Sequence, residues 1–405
     1  MGDPLARISV NFMTAAYLDY QATTPIDPRV LERMQALEET RKGFGNPHSA
    51  SHEAGRKALS EVSAARREIA DLIGADEGEI VFTSGATEAN NLAILGAFEV
   101  ADSDRQEIVV SSVEHKSVLA AARHLETKGF TLRVAPVDVR GRIDLDALCS
   151  LVGQSTRLVS IMATNNEIGV EQDIPSIASI VRAKGSLFHV DAAQALATRQ
   201  VDVAAWGADF MSLSCHKAYG PKGIGALFVT HEARHRIRPI LFGGEQEGGL
   251  RPGTLPTPLC VGFGEACRVL YDERQADIGK IRRLRDLLLA RLREKLPSIE
   301  VNGAMEGRHP GNLNIRIPGV EADQLLAMCE GKIAGATGSA CTSGTPEPSH
   351  VLMALGRSRH EAEESIRLSL GRFSTDTDVD RAVEALSGAS ALLQRLGSGR
   401  CAPAR

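Results

Sequence analysis

Between residues 55 and 230 the chain alternates between short apolar runs and longer amphipathic stretches. Such alternation builds a parallel sheet covered by helices, because each crossover between parallel strands needs a dozen or more residues. The strand-like runs are 79–82, 107–111, 131–135, 158–162, 187–190, 210–213 and 225–229. Helical periodicity fills 53–73, 88–98, 117–128 and 174–184, with Thr87-Glu88 as a start signal and Lys184-Gly185 as a stop. Glycine and proline cluster from Phe242 to Pro258, which marks a long functional loop.

At 405 residues the chain exceeds what one core supports, so two domains are expected. Residues 27–258 form the large one, α/β with a mostly parallel seven-stranded sheet flanked by helices. Residues 1–26 and 259–405 form a smaller α+β domain, with a helical connector over 259–296, strands at 312–317 and 365–370, and helices near 321–330 and 376–396.

Charge and cysteine usage narrow the classes. Lys and Arg number 46 against 51 Asp and Glu, a formal charge of −5 without a basic block, which argues against nucleic acid as a direct partner. No apolar run is long enough to span a bilayer. Met1 to Met13 lack the pattern of a secretory signal, and Met13 is an alternative start that would make Met1–Phe12 an upstream extension. The seven cysteines are scattered, with no CxxC pair, which suits neither a disulfide framework nor a metal site; a reducing cytoplasm is the expected compartment.

Reactive polar residues stand directly after two of the apolar runs: Asp191 and Gln194 after 187–190, and Ser214, His216 and Lys217 after 210–213. In α/β sheets, residues just past strand carboxyl ends face the ligand crevice. A lysine to hold a carbonyl cofactor and an aspartate to pair a pyridine nitrogen suit pyridoxal phosphate. Each residue also has an ordinary reading. Lys217 alone reads as a surface lysine, Asp191 as a helix cap, and His115, in Val113-Glu114-His115-Lys116, as a loop histidine rather than one lying over a cofactor ring. Ser84-Gly85-Ala86-Thr87-Glu88, between a strand and a helix, suits a phosphate but is also a common helix start. Arg367 lies in a strand-like segment, where it needs either a structural carboxylate or a substrate carboxylate. Cys341 sits among glycines and small hydroxyl residues in an open, adaptable loop, where a thiol partly deprotonated near its reference pKa of about 8.5 could attack sulfur.

Taken in order, these segments closely resemble the cysteine desulfurases, fold-type I pyridoxal phosphate enzymes grouped with class V aminotransferases. The resemblance runs from about Ala16 to Phe373. It is carried by Tyr17-Leu18-Asp19-Tyr20 with Ala22-Thr23-Thr24-Pro25, by Gly45-Asn46-Pro47-His48-Ser49 and by Phe82-Thr83-Ser84-Gly85-Ala86-Thr87-Glu88. It continues through Asn165-Asn166-Glu167-Ile168-Gly169, His189-Val190-Asp191, His216-Lys217-Ala218-Tyr219-Gly220-Pro221-Lys222-Gly223 and Arg367-Leu368-Ser369-Leu370-Gly371-Arg372.

The resemblance implies roles at matching positions. Lys217 carries the cofactor and takes the substrate proton, Asp191 pairs the ring nitrogen and Gln194 the ring hydroxyl. His115 stacks on the ring and transfers protons. Ala86, Thr87, Ser214 and His216 hold the phosphate, with Thr254 supplied by the other subunit of a homodimer. Asn166 and Arg367 fix the carboxylate of L-cysteine, and Cys341 attacks its sulfur, leaving alanine and a persulfide for a sulfur-acceptor protein. An iron–sulfur scaffold and a tRNA-thiolation protein are both acceptors of that kind. The Cys341 loop resembles the longer version of the housekeeping and nitrogen-fixation branch.

Departures from the family pattern are Cys215 in place of a glycine, which alters phosphate packing or offers a second thiol near the cofactor, Ala193 in place of a threonine, Gly248 in place of an arginine and Pro252 in place of a serine. The tail after Phe373 has no clear match to a scaffold-docking end. Cys341 separates the desulfurase reading from a class V transaminase, which needs no thiol there. Selenocysteine lyase is a rival on the same fold, and a non-catalytic docking partner would not need the full set of Lys217, Asp191, His115, Cys341 and Arg367.

Overall fold

The computed structural model describes residues 15–100, 104–337 and 347–398. The first strand, β1 (Ala16–Tyr17), pairs in parallel with a strand from the far end of the chain. Helix α1 (Pro28–Glu39) starts where Asp27 accepts from the Arg29 N–H and Pro28 occupies a position that needs no donor. Helix α2 (Glu53–Ile73) buries Ala58, Val62, Ala65, Ile69 and Ile73 along one face. It stops at Gly74, whose φ of 70° is the left-handed cap that glycine adopts without strain.

The large sheet comprises β2 (Ile80–Thr83), β3 (Glu107–Ser111), β4 (Thr131–Ala135), β5 (Thr156–Met162), β6 (Leu187–Asp191), β7 (Phe210–Ser214) and β8 (Gly225–Val229). Their spatial order is β2-β8-β7-β6-β5-β3-β4. Strands β3 to β7 pair in parallel, and β8 runs antiparallel to both neighbours. Between them lie α3 (Ala86–Phe98), α4 (Lys116–Thr127), α5 (Leu145–Leu151), α6 (Ile174–Ala183) and α7 (Val203–Trp206). The sheet is therefore mixed and mostly parallel, as expected. Strands β5 to β8 are buried at every position, because helices cover both faces; this is why they read as continuous apolar runs rather than as alternation. Val159, Phe188 and Met211 pack into one core, and Leu158, Leu187 and Phe210 into the other, beneath α3 and α4.

Helix α8 (Thr257–Lys295) leaves the large sheet and enters a second layer. That layer contains β9 (Glu300–Val301), β10 (Asn312–Arg316), α9 (Ala322–Met328), β11 (Ile333–Ala334), β12 (Ala336–Thr337), α10 (His350–Ala354), α11 (Arg359–Glu363), β13 (Ser365–Ser369) and α12 (Asp376–Ser398). Strands β12, β13, β10 and β9 form an antiparallel sheet in that order, and β11 takes β1 as its partner. The first half of α8 packs Phe263, Cys267 and Leu270 against the large core, and its second half packs Leu284, Leu288 and Leu292 against Leu313, Ile315, Leu368 and Leu386.

Arg372 fastens the layers together. It is buried, pairs with Asp27 at 2.6 Å and Asp277 at 2.7 Å, and lies 4.5 Å from the Tyr219 ring centroid. Next to it, Gly371 is so close to Tyr20 that a Cβ there would meet the ring at 2.1 Å. Among the described residues no helix is long and apolar enough to cross a membrane.

Candidate active site

The carboxyl ends of β6 and β7 open into a cavity of about 580 Å³. Asp191 ends β6, and a 3₁₀ turn over Cys215–Lys217 follows β7 and aims Lys217 at the same space. The Lys217 Nζ donates to the Ala22 carbonyl at 2.8 Å and to the Gln21 carbonyl beside it. Burial, helped by nearby Arg367, lowers the Lys217 amine to about 8, against the opposing pull of Asp19 and Asp191. About a tenth is thus uncharged at pH 7, against well under a thousandth of an ordinary lysine, and the uncharged form is the nucleophile.

Asp191 is 5% exposed, and both of its oxygens are engaged: Oδ2 accepts from Asn90 Nδ2 at 2.8 Å and Oδ1 from the Ala193 N–H at 3.0 Å. Gln194 lies one turn further on, and its Nε2 donates to the Gln21 carbonyl at 2.8 Å. The carbonyl of Gln21 thus receives two of the expected site residues, Lys217 and Gln194. Its side chain is itself clamped, with Oε1 accepting from Asn312 Nδ2 at 2.5 Å.

Opposite them, α3 begins at Gly85, where an added Cβ would meet nothing within 4 Å. Ala86 and Thr87 are the first residues of a thirteen-residue helix, whose first-turn N–H groups have no intrahelical acceptor, and both line the cavity. Ser214 and His216 line the same end. Burial, followed by Lys217 and Lys222, pushes His216 down to about 4, and its Nδ1 lies 3.0 Å from Thr23 Oγ1. His216 is consequently a neutral ring here. Glu88, next in the helix, also lines the cavity; its charge is paired with Arg251 at 2.8 Å, and its Oε2 accepts from the Ser84 N–H at 2.6 Å.

His115 caps α4 with its ring and lines the cavity. Burial lowers its pKa, Lys217 and Lys116 act in the same direction, and Asp191 opposes them. Arg367 enters from β13. Its Nη2 pairs with Asp19 at 2.6 Å and its Nη1 donates to the Asn166 carbonyl at 2.8 Å, while Nε is buried without a partner among the described residues. The arginine therefore has a structural carboxylate, and it lines the cavity together with Asn166.

Three expected features lie apart from this group. Thr254 is exposed and is not among the residues lining the cavity. Cys341 lies outside the described residues, between Thr337 at the end of β12 and Glu347. Cys215 is not a second thiol in the cavity: its Sγ packs on Gly220, where a Cβ would stand 2.1 Å away, and burial pushes the thiol far up. After the Cys341 segment, α10 is tied back to the site by His350, whose Nε2 lies 3.0 Å from the Glu114 carbonyl. Gln21, Asn90, Ser117 and Asp19 were not singled out from the sequence, although Asp19 stands inside a quoted motif.

A half-buried lysine, a buried aspartate and a helix N-terminus meeting at the carboxyl edge of a mostly parallel sheet define an α/β enzyme of the aminotransferase type. The chain belongs to the aminotransferase class-V family, whose model matches residues 16–382, and within it to the cysteine desulfurases. It is 46% identical over 373 residues to the cysteine desulfurase IscS of Rickettsia rickettsii, covering 92% of this chain and 90% of that one. It is 45% identical over 370 residues to a probable mitochondrial cysteine desulfurase of Dictyostelium discoideum, covering 91% of this chain and 82% of the relative. A solved NifS-like protein superposes with a TM-score of 0.87 at 33% identity, covering 93% of this chain and all of that one.

Proposed function

We propose that the chain is a cysteine desulfurase that uses pyridoxal phosphate to take sulfur from L-cysteine, giving L-alanine and a persulfide on Cys341. The observation that carries this reading is one cavity shared by Lys217, Asp191, His115 and Arg367. The donor set fits the cofactor: a buried carboxylate for the ring nitrogen, a lowered amine for its carbonyl carbon, and the open N-terminus of α3 with Ala86, Thr87, Ser214 and His216 for the phosphate. Gln194 is assigned to the ring hydroxyl. Bound pyridoxal phosphate supplies an electron sink that weakens the bonds at the substrate Cα and to its sulfur.

The chain's own groups do the rest. Arg367, which lines the cavity with Asn166, holds the substrate carboxylate and so fixes which Cα bond faces Lys217. Uncharged Lys217 takes the Cα proton, and His115 supplies a proton to the substrate as its carbon–sulfur bond breaks. The Cys341 sulfur attacks the substrate sulfur as the carbon–sulfur bond breaks. L-cysteine and a thiol become L-alanine and a persulfide, so atoms and electrons balance without an outside oxidant.

The working unit is a homodimer in which Thr254 completes the phosphate site of the neighbouring copy. Its exposure away from its own cavity supports that reading, as do Leu241 and Phe242, 50% and 89% exposed in the adjoining loop. Residues 27–258 are assigned to the large domain, and 1–26 with 259–405 to the smaller one. The persulfide passes to an acceptor protein in a reducing, cytoplasmic compartment, consistent with the five free cysteines among the described residues.

The test is alanine and persulfide formation from L-cysteine by the parent chain and by Cys341→Ala. The variant is expected to bind cofactor and cysteine and to form no persulfide. Equal persulfide from both would reject Cys341, and no turnover in the parent under any acceptor condition would reject the reading.

A further inference from the structure

Asn90 is a fully buried polar residue on α3 that reaches neither substrate nor cofactor in the reaction just described. We propose that Asn90 is a positioning residue: one amide nitrogen holds Asp191 and, by way of Ser117, keeps the ring proton of His115 on Nε2. The proposal rests on the desulfurase reading for its catalytic meaning and on geometry alone for its chemistry.

Each proton along this path has one place to go. Asn90 Nδ2 stands 2.8 Å from Asp191 Oδ2 and 2.9 Å from Ser117 Oγ. Turning the amide over would set Oδ1 against a carboxylate, two acceptors with no proton between them, so the amide orientation is forced. Both Nδ2 protons are then committed, one to Asp191 and one to Ser117. The Ser117 hydroxyl, already accepting, turns its single proton toward His115 Nδ1, 2.8 Å away. The Ser117 backbone N–H also donates to Nδ1, at 3.2 Å. Two donors converge on that nitrogen, so it presents its lone pair and the proton resides on Nε2.

A second observation marks Asn90 as more than packing. Its Oδ1 is buried with no partner among the described residues, a penalty that an apolar residue of the same shape would avoid. The charged and titratable groups around His115 come from several elements: Asp191 at the end of β6, Lys217 after β7, Lys116 beside it on α4, and His350 on α10. Burial, Lys217 and Lys116 favour the neutral ring, and Asp191 favours the charged one. The Asn90–Ser117 path, acting with the Ser117 backbone N–H, sets which nitrogen of the neutral ring keeps the proton. His115 therefore enters the reaction as a donor at Nε2, with Nδ1 tied to α4. Asn90 also sits three residues after Thr87, so the helix that faces the phosphate end positions the aspartate at the ring end.

The experiment is imidazole nitrogen NMR of the full chain labelled at histidine, with and without pyridoxal phosphate, the His115 signals being assigned by their loss in His115→Gln. In the parent, Nδ1 is expected as an unprotonated nitrogen and Nε2 as a protonated one. In Asn90→Ala the freed Ser117 hydroxyl can accept from Nδ1. The two shifts should then move toward each other, the His115 titration midpoint should rise, and kcat should fall roughly tenfold with KM for L-cysteine little changed. Asn90→Leu, close in shape and with no orphaned acceptor, gives the same readout if the alanine variant does not fold. Ser117→Thr keeps the hydroxyl and should keep the parent pattern. A parent with its proton on Nδ1, or an unchanged spectrum and titration in the Asn90 variants, overturns the proposal. A parent without desulfurase activity would instead sink the proposed function and leave the tautomer result standing.

Discussion

A desolvated amine leaves a thermodynamic signature that needs neither substrate nor cofactor. Lys217 is lowered from 10.5 to about 8 by burial and by Arg367. In the unfolded chain it returns to about 10.4. Between those values the unfolded state binds the extra proton, so stability climbs from pH 8 to about 10.5, and below pH 8 the penalty stands whole. At about 1.4 kcal/mol per tenfold the shift is worth about 3 kcal/mol; water around the partly exposed stem reduces this to about 2–3 kcal/mol. Lys217→Met keeps the apolar stem and removes the charge. The cofactor-free variant should therefore be more stable than the parent at pH 7 by that amount, which for 405 residues is roughly 3 °C in Tm. Thermal melts followed by circular dichroism at pH 7, 8, 9 and 10 measure the gap, which should close toward pH 10. Lys222→Met, at an exposed position on the same cavity, is the control and should open no such gap. A variant less stable at pH 7, or a gap unchanged from pH 8 to 10, would refute the desolvated amine. An amine that weakens the fold in order to be reactive is a familiar exchange of stability for function.

Other expectations are more local. Arg367→Lys loses the planar fork beside Asn166 and Asp19, so KM for L-cysteine should rise about tenfold or more, with a smaller change in kcat, by steady-state kinetics. Glu247 is 2% exposed at its side chain, pairs with Arg66 at 2.6 Å and accepts from the Phe82 N–H at 2.7 Å. Glu247→Gln should cost about 3 kcal/mol, lowering Tm by roughly 3–4 °C in the same melts. Gly371→Ala would drive a Cβ into the Tyr20 ring and should cost about 1–3 kcal/mol, read as an earlier urea midpoint.

The strands of the large sheet were legible almost to the residue, because short apolar runs bounded by helix signals have few other readings; 107–111, 131–135 and 225–229 match β3, β4 and β8. Direction was not legible. Nothing in 225–229 reports that β8 runs against its neighbours, since side-chain periodicity is the same either way. Helix α1 was passed over although Asp27-Pro28 carries its start signal. Within the site, Asp191, His115 and Lys217 were visible as reactive types after strands. Gln21 was not, because its contribution to Lys217 and Gln194 is a backbone carbonyl, which every residue has. Asn90 was hidden for another reason: its partners lie on α4 and β6, and only packing brings them together. Cys215 was ambiguous until Gly220 revealed the side to which its sulfur turns.

The pairing of β1 with β11, and the bridge from Asp19 to Ser369 beside it, bear on how the protein is made. Both carbonyls that receive Lys217 belong to residues held at this seam. On the ribosome the seam cannot close until Ser369 has emerged. At about 5–20 residues per second the amino-terminal segment waits roughly 20–70 s for its partners. Over the last part of that interval, once β8 has emerged, the strands of the large sheet are all present and Lys217 stands at its edge, but the wall that desolvates it is absent. The amine acquires its reactivity only once β13 has emerged, so a chain stalled before it would carry the lysine without its chemistry.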